Sequence, residues 1–269
     1  MRNLILSTSA GYSWDQIKTH NLSAKNRTKA DDVCNLFINP DEALIKTCQE
    51  HGIDSFGYSI RSNGKPPHNL RFLLQYKFLM QAMASKKYSW HDQVIITDSR
   101  DVYFYSDPFG ILEDLTYDRL TPIVCGSECI NYQDEPWGNG NLAEGFPYVY
   151  EEYKTQEICN VGVIGGQIRA VADLCLLIFT MCYHNPASVS DQSAFNIIMG
   201  TEFGKENIMK TRPSDGLVVH LGTVGVEKFR NKLIETPSWK DGEIPSVNGK
   251  VIPILHQYDR VDTSKWNLQ

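Results

Sequence analysis

Short apolar runs alternate with helical patterns through the first part of the chain. Runs of strand length lie at residues 3–7, 33–38, 56–60 and 93–97. Helical periodicity separates them at residues 14–23, 41–51 and 69–85. Because strands that alternate with helices pair in parallel through right-handed crossovers, this pattern predicts an α/β fold with a mainly parallel central sheet flanked by helices.

The second half of the chain is less regular. Strand-like runs lie at residues 122–127, 158–164, 217–221 and 251–255, and helical patterns lie at 167–183 and 191–199. Residues 130–157 are rich in aromatic residues, Gly, Pro and acids, and they lack periodicity. A connection of that length in a compact domain is usually functional or mobile. Since no repeat or linker divides the sequence, we expect a single domain over 1–269.

Two carboxylates directly follow the strand predicted at 93–97. Asp98 and Asp101 are three positions apart, and apolar sequence resumes at Val102. Carboxylates are costly at the end of a buried strand unless a cation or strong donors meet them, and ligands bind at the carboxyl ends of strands in open α/β sheets. The pattern favours a divalent metal that holds a phosphorylated ligand. The alternative is a turn whose aspartates cap neighbouring amides.

His256 follows another apolar run, at residues 251–255. Together with Asp98 and Asp101 it makes a set of two carboxylates and one imidazole, which suits Mn²⁺, or Mg²⁺ with weaker preference, and leaves positions for phosphate oxygens. An ordinary hydrogen-bonded histidine is the alternative, because sequence spacing does not show that His256 meets the aspartates.

Two further segments contain candidate ligand-binding residues. The run from Asn160 ends in Gly165 and Gly166, where glycines either admit a ligand or make a tight strand-to-helix turn. Asp191 begins the helix predicted at 191–199, either as a cap or as a side chain that points into a pocket above the sheet.

Composition and charge exclude several classes of protein. The formal charge of −6 argues against a general nucleic-acid binder. The longest apolar stretch, near residues 174–182, is too short for a membrane span, and the start of the chain lacks a signal-peptide pattern. Seven cysteines without paired spacing indicate reduced thiols. We therefore expect a cytoplasmic protein with no membrane span.

The segment from Thr97 to Val102 resembles the metal motif of GT-A nucleotide-sugar glycosyltransferases. The likeness is to families with a D-x-x-D motif, such as the glycosyltransferase domain of collagen lysyl hydroxylases. The segment 160–166 is similar to their N-x-G-x-x-G run, Asp191–Gln192 to their D-Q helix start, and His256 to their late metal-ligating histidine. The resemblance implies a GT-A, Rossmann-like fold with a mainly parallel mixed sheet, a nucleotide-binding half at 1–105 and an acceptor-binding half at 106–269.

The resemblance also implies roles for individual residues. Asp101 and His256 would ligate the metal, and Asp98 would bind the metal or the ribose. Arg71 would reach the base or the diphosphate of a donor that is expected to be a UDP-sugar. The other implied contacts are Ser7, Thr8 and Ser9 at the base, Ser99 at the donor, Asn160, Gly165 and Gly166 on the donor-sugar and acceptor side, and Asp191 at a sugar hydroxyl.

Sugar transfer to a glycan or glycoprotein acceptor leaves a nucleoside diphosphate whose developing charge must be neutralised. A cation does this as a Lewis acid, with Arg71, Lys228 or Arg230 in support. An inverting reaction also needs a carboxylate base, for which Glu128, Asp191 and the acids of 134–157 are candidates, whereas a retaining one does not. The stereochemistry stays open at this point.

The aromatic segment 132–153 is interpreted as either an acceptor-binding lid or a surface loop packed by its own aromatics. In the first case its aromatic side chains stack on sugar rings; these are Trp137, Phe146, Tyr148 and Tyr150. Two other classes of function compete with the transferase: a sugar-nucleotide-binding protein without turnover, and a metal-dependent phosphoryl-transfer enzyme that uses a strand-end aspartate.

Overall fold

The computed structural model describes residues 1–61, 66–118, 121–237, 239, 243–266 and 268. Its strands, in chain order, are β1 (Asn3–Ala10), β2 (Asp32–Ile38), β3 (Asp54–Tyr58), β4 (Gln93–Asp98), β5 (Val102–Phe104), β6 (Ile123–Asn131), β7 (Glu157–Gln167), β8 (Ile208–Thr211), β9 (Val218–His220), β10 (Ser246–Val247), β11 (Lys250–Val251) and β12 (Ile254–His256).

Helices connect and cover these strands. In chain order they are α1 (Trp14–Arg27), α2 (Glu42–Glu50), α3 (Pro67–Ala84), α4 (Phe109–Asp118), α5 (Pro136–Gly145), α6 (Tyr150–Tyr153), α7 (Ile168–Tyr183), α8 (Asp191–Gly200), α9 (Glu202–Asn207) and α10 (Leu221–Val224). Short 3-10 turns lie at Tyr132–Asp134, Pro213–Asp215, Glu227–Lys232 and Tyr258–Arg260.

The central sheet has seven strands in the order β3-β2-β1-β4-β7-β6-β8. The first four pair in parallel, β7 runs antiparallel to both β4 and β6, and β6 and β8 are parallel. A second sheet joins β5, β12 and β9, with β12 antiparallel to β5 and parallel to β9. The predicted α/β fold with a mainly parallel mixed sheet is confirmed.

The strands of the central sheet bury apolar side chains on both faces. In β1, Leu4 and Leu6 belong to the core on the α3 and α7 side, whereas Ile5 belongs to the core that contains Ile17 of α1 and Leu112 of α4. Because successive side chains of a strand point to opposite faces, a sheet covered on both sides needs an unbroken apolar run. That requirement explains why the first strands read as continuous apolar segments.

Residues 130–157 fold into regular structure, contrary to the expectation of an irregular connection. They comprise the end of β6, a 3-10 turn, α5 and α6, and Tyr132, Phe146 and Tyr153 are buried. The glycines of α5 hid its helical pattern in the sequence, since glycine disfavours helix interiors. The helix is held by packing of its aromatic neighbours into the main core.

Two expectations from composition are tested by the fold. All seven cysteines are buried and free. Over the residues described above, no helix combines the length and the apolar character that a bilayer crossing requires.

Candidate metal centre

Asp98 is the last residue of β4, Asp101 lies in the turn that leads to β5, and a buried histidine holds this turn in place. His20 of α1 contacts the Val102 carbonyl through Nδ1 at 3.0 Å and the Thr97 hydroxyl through Nε2 at 3.3 Å. Burial lowers the pKa of His20 to about 4, so the ring is neutral near pH 7 and has one donor and one acceptor nitrogen. Nδ1 therefore donates to Val102 and Nε2 accepts from Thr97, which holds both ends of the turn.

The second sheet delivers His256 to the same turn. In the antiparallel pairing of β12 with β5, His256 lies opposite Val102, the residue after Asp101. The Gln257 amide donates to the Asp101 carbonyl at 2.7 Å. As a result His256 Nε2 lies 3.6 Å from Asp98 Oδ2 and 3.8 Å from Asp101 Oδ1.

These three side chains form a candidate metal site. One ligand atom from each of Asp98, Asp101 and His256 lies within 4.8 Å of the others. His256 is buried, and its Nε2 has no hydrogen-bond partner within the described part of the chain. Two ligands bonded to one cation at about 2.1 Å are at most about 4.2 Å apart, so the contacts from Nε2 to both carboxylates fit a shared ion.

The electrostatics of the site favour a positive charge. Burial opposes the ionisation of Asp98, but Arg71 and His256 together outweigh it and lower the pKa of Asp98. Burial raises the pKa of Asp101, so this carboxylate lacks a full counter-charge. Burial also disfavours the charged form of His256, yet the two carboxylates outweigh it and raise its pKa. A cation at this point would satisfy all three groups.

Arg71 connects the metal site to Asp191. It lies on α3, where it forms an ion pair with Asp98 and donates from Nη2 to Asp191 Oδ2 at 2.9 Å. Asp191 is the first residue of α8 and follows the cap residue Ser190, a position where the helix dipole favours a carboxylate. The guanidinium is nearly buried between the two acids. The structure therefore makes Arg71 part of the same charged cluster as the metal ligands.

A cavity of about 410 Å³ opens above this cluster. The predicted site residues that line it are Thr8, Ser9, Arg71, Asp98, Ser99, Asp101, Asn160, Asp191 and His256. A neighbouring cavity of about 500 Å³ shares Ser9, Tyr12 and Ile38 with it and extends over the carboxyl ends of β1 and β2. Together the two cavities form a cleft along the edge where the parallel strands end.

The structure places Gly165 and Gly166 away from this cleft. Because β7 is antiparallel to β4, Gly165 pairs with Ile95 and Gly166 with Val94, near the start of β4 rather than its end. Their location does not support the predicted contact with donor or acceptor. Gly162 is the glycine of this segment that lines the cavity, and a Cβ added there would lie 2.6 Å from His256 Nε2.

Ser7 and Glu128 also lie outside the cavity lining. Ser7 is fully buried within β1. Glu128 lies beneath Asn160, whose Nδ2 donates to Glu128 Oε1 at 2.7 Å, and the Asn160 Oδ1 accepts from the Gly162 amide at 2.6 Å. Burial raises the pKa of Glu128 to about 7. Glu128 therefore supports Asn160 from within the protein and is shielded from an acceptor.

Of the remaining residues that the sequence suggested for the site, some line the cavity and others do not. Lys228 and Arg230 do not line the cavity, and Arg230 forms an exposed ion pair with Glu227. Of the four aromatic residues expected to stack on sugars, Trp137 lines the cavity and is 57% exposed, whereas Phe146 is 2% exposed. Tyr150 donates to Asn139 Oδ1 at 2.9 Å and packs against the core.

Several residues at the site were not predicted. Tyr12, His68 and Gln257 line the cavity, and His20 and His220 lie beneath the metal ligands. A signal for His220 was present, because it ends an apolar run just as His256 does. The others lie in turns and helices where the sequence pattern carries no such signal.

No protein-family model matches the sequence, and no curated protein matches it in sequence. Solved structures do resemble the fold. Mouse xyloside xylosyltransferase 1 in its apo form has a TM-score of 0.56 at 11% identity, over 95% of this chain and 97% of that one. The apo-form glycosyltransferase GlyE of Streptococcus pneumoniae TIGR4 has a TM-score of 0.52 at 15% identity, over 96% of this chain and 54% of that one. These likenesses confirm the predicted GT-A fold.

Proposed function

We propose that this chain is a metal-dependent glycosyltransferase that moves a hexosyl or pentosyl group from a nucleotide sugar, expected to be a UDP-sugar, to a glycan or glycoprotein. The observation that carries the proposal is the convergence of Asp98, Asp101 and His256 at the floor of the main cavity. His256 is far from the two aspartates in the sequence. Its buried Nε2 has no hydrogen-bond partner among the described residues. The shared GT-A fold supports this class of reaction.

The three ligands suit Mn²⁺, or Mg²⁺ with weaker preference, because they combine an imidazole with carboxylates. When bound, the ion supplies Lewis-acid neutralisation of the departing diphosphate. Arg71 adds a fixed positive charge beside Asp98. Because two carboxylates already hold its guanidinium, Arg71 loses little side-chain conformational entropy when it binds a phosphate.

The donor is proposed to lie along the cleft over β1 and β2. Thr8, Ser9 and Tyr12 line the part that extends away from the metal ligands, which suits the nucleoside. The sugar then lies on the other side of the ligands, near Asn160 and Asp191. Asp191 can accept a hydrogen bond from a sugar hydroxyl while Arg71 holds its other oxygen.

The acceptor is proposed to enter beside Trp137, an exposed ring at the cavity. Sugar rings present C–H faces that pack on indole, so this position suits a glycan. If the reaction inverts the anomeric centre, Asp191 is the candidate base, because it lines the cavity and Glu128 does not. We retain a reducing, cytosolic location as a proposal, which the seven free cysteines support.

The test measures release of nucleoside diphosphate from a panel of nucleotide sugars with Mn²⁺, Mg²⁺ or chelator. We expect turnover with a divalent cation and a loss of about 100-fold or more in Asp101→Asn and His256→Gln. Asp259→Asn is the matched control, since this exposed carboxylate contacts Arg100 near the site but is not among the candidate ligands.

Other outcomes would contradict the proposal in distinct ways. Full turnover in chelator, or in Asp101→Asn, would overturn the metal assignment. Binding of a nucleotide sugar without turnover under any acceptor would indicate a binding protein. Phosphatase activity that is lost in Asp98→Asn, without sugar release, would indicate a phosphoryl-transfer enzyme.

A further inference from the structure

A second buried histidine contacts the metal-ligating histidine directly. β9 and β12 are parallel neighbours, and His220 is in register with His256. Their Nδ1 atoms lie 2.8 Å apart, and the rings are nearly perpendicular at 86°. Both side chains are almost completely buried, at 0% and 1% exposure. A contact this short between two ring nitrogens requires that one donates a proton and the other accepts it.

The position of His256 decides which nitrogen is the donor. Its Nε2 faces Asp98 and Asp101, and a metal can bind Nε2 only through its lone pair. The single proton of a neutral His256 must then be on Nδ1, from which it donates to Nδ1 of His220. His220 accepts on Nδ1 and carries its own proton on Nε2.

Within the described residues, the hydrogen-bond partner of His256 Nδ1 is His220 Nδ1. The His220 ring lies against Gly126, because a Cβ added at Gly126 would collide with His220 Nε2. The ring is thus confined to an orientation that presents Nδ1 to His256.

We propose that His220 is a positioning residue that sets the tautomer and orientation of His256 for metal binding. The proposal rests on the metal site of the proposed function. Metal-ligating histidines generally need a partner for their second nitrogen, and loss of that partner typically costs about 10- to 100-fold in metal affinity. A neutral imidazole in this role is unusual, because carboxylates and backbone carbonyls are the common partners.

The test compares two substitutions of similar burial. His220→Phe keeps a planar ring but removes the acceptor, and we expect it to raise the Kd for Mn²⁺ about 10- to 100-fold in the absence of donor. His220→Asn places an amide oxygen near the former Nδ1 and can still accept from His256, so we expect a Kd within about threefold of the unsubstituted chain. Thermal unfolding in chelator checks that both variants fold. Equal Kd values for His220→Phe and the unsubstituted chain would overturn the proposal.

A second measurement needs no substitution. Nitrogen-15 spectra of the histidine rings, with one equivalent of Zn²⁺ as a diamagnetic probe, report which nitrogen carries each proton. We expect His256 protonated on Nδ1 and His220 on Nε2; a proton on Nδ1 of His220 would overturn the inference. If the unsubstituted chain binds no Mn²⁺ or Zn²⁺, the proposed function fails, whereas normal binding with the wrong tautomer refutes only the role of His220.

Discussion

The two ends of β7 make an instructive comparison. At one end, which we call the metal end, Asn160 and Gly162 lie beside the ligands at the carboxyl end of β4. At the other, the glycine end, Gly165 and Gly166 pack against the start of β4. Both belong to one glycine-rich segment, and the family resemblance implies one role, on the donor-sugar and acceptor side, for Asn160, Gly165 and Gly166 alike. The antiparallel direction of β7 separates them.

The two ends also use glycine for different reasons. At the metal end, Gly162 leaves room for the imidazole of His256. At the glycine end, Gly166 has φ +150° and a Cβ there would collide with the Pro122 carbonyl. The first glycine admits a functional side chain, and the second admits a neighbouring backbone. A glycine motif therefore indicates close approach but not what approaches.

The largest expected effect comes from the glycine end. Gly166→Ala forces a Cβ onto the Pro122 carbonyl and to 2.9 Å from Ile123 Cα, and backbone moves less easily than a side chain. We expect a loss of about 4 kcal/mol in the free energy of unfolding, measured by denaturant titration. The Kd for Mn²⁺ of the folded fraction should not change. A changed Kd with normal stability would contradict the separation of the two ends.

The next effect tests the buried acid beneath the metal end. Burial raises the pKa of Glu128 to about 7 from 4.5. The folded state thus keeps a proton that the unfolded state releases between these values, and stability falls as the pH rises from about 4.5 to 7. At one pKa unit per 1.36 kcal/mol, the full cost is about 3 kcal/mol.

Glu128→Gln removes this titration. We compare the free energies of unfolding of the variant and the unsubstituted chain in chelator. The difference between them should shift in favour of the variant by about 3 kcal/mol from pH 4.5 to pH 8. Denaturant titrations at both pH values measure the difference, and the shared contributions of His20 and His220 cancel. Parallel pH profiles for the two proteins would show that Glu128 ionises normally.

The smallest expected change in free energy is at Gly162, and it concerns metal binding. A Cβ there would lie 2.6 Å from His256 Nε2 and 2.8 Å from Asn160 Oδ1, so Gly162→Ala must displace the ligand. We expect the Kd for Mn²⁺ to rise about 10- to 100-fold, equivalent to about 1.4–2.7 kcal/mol. Gly165→Ala is the matched control on the same strand, because its Cβ meets the movable side chain of Leu112. Equal Kd values in the two variants would contradict the claim that Gly162, and not Gly165, leaves room for His256.

The sequence alone predicted much of the fold. The periodicity of residues 69–85 and 167–183 gave helices that the structure has at Pro67–Ala84 and Ile168–Tyr183. The prediction was poorer where local preference opposes the final structure. The glycines of α5 disfavour a helix, but the packing of Phe146 and Tyr132 into the core supports it. The spacing of apolar residues indicates which face of an element is buried. It does not indicate which distant residues pack against that face.

For the site, the sequence determined that carboxylates follow one apolar strand, at Asp98 and Asp101, and that an imidazole follows another, at His256. These residues were candidates because burial of a polar group is costly unless a partner meets it. Only the tertiary structure decided that they meet, through the pairing of β12 with β5. It also decided that His220 lies beside His256 and that Gly166 pairs with Val94, near the start of β4. The pairing of β12 with β5 and β9 joins segments that are distant in the sequence, and such contacts are absent from the local pattern.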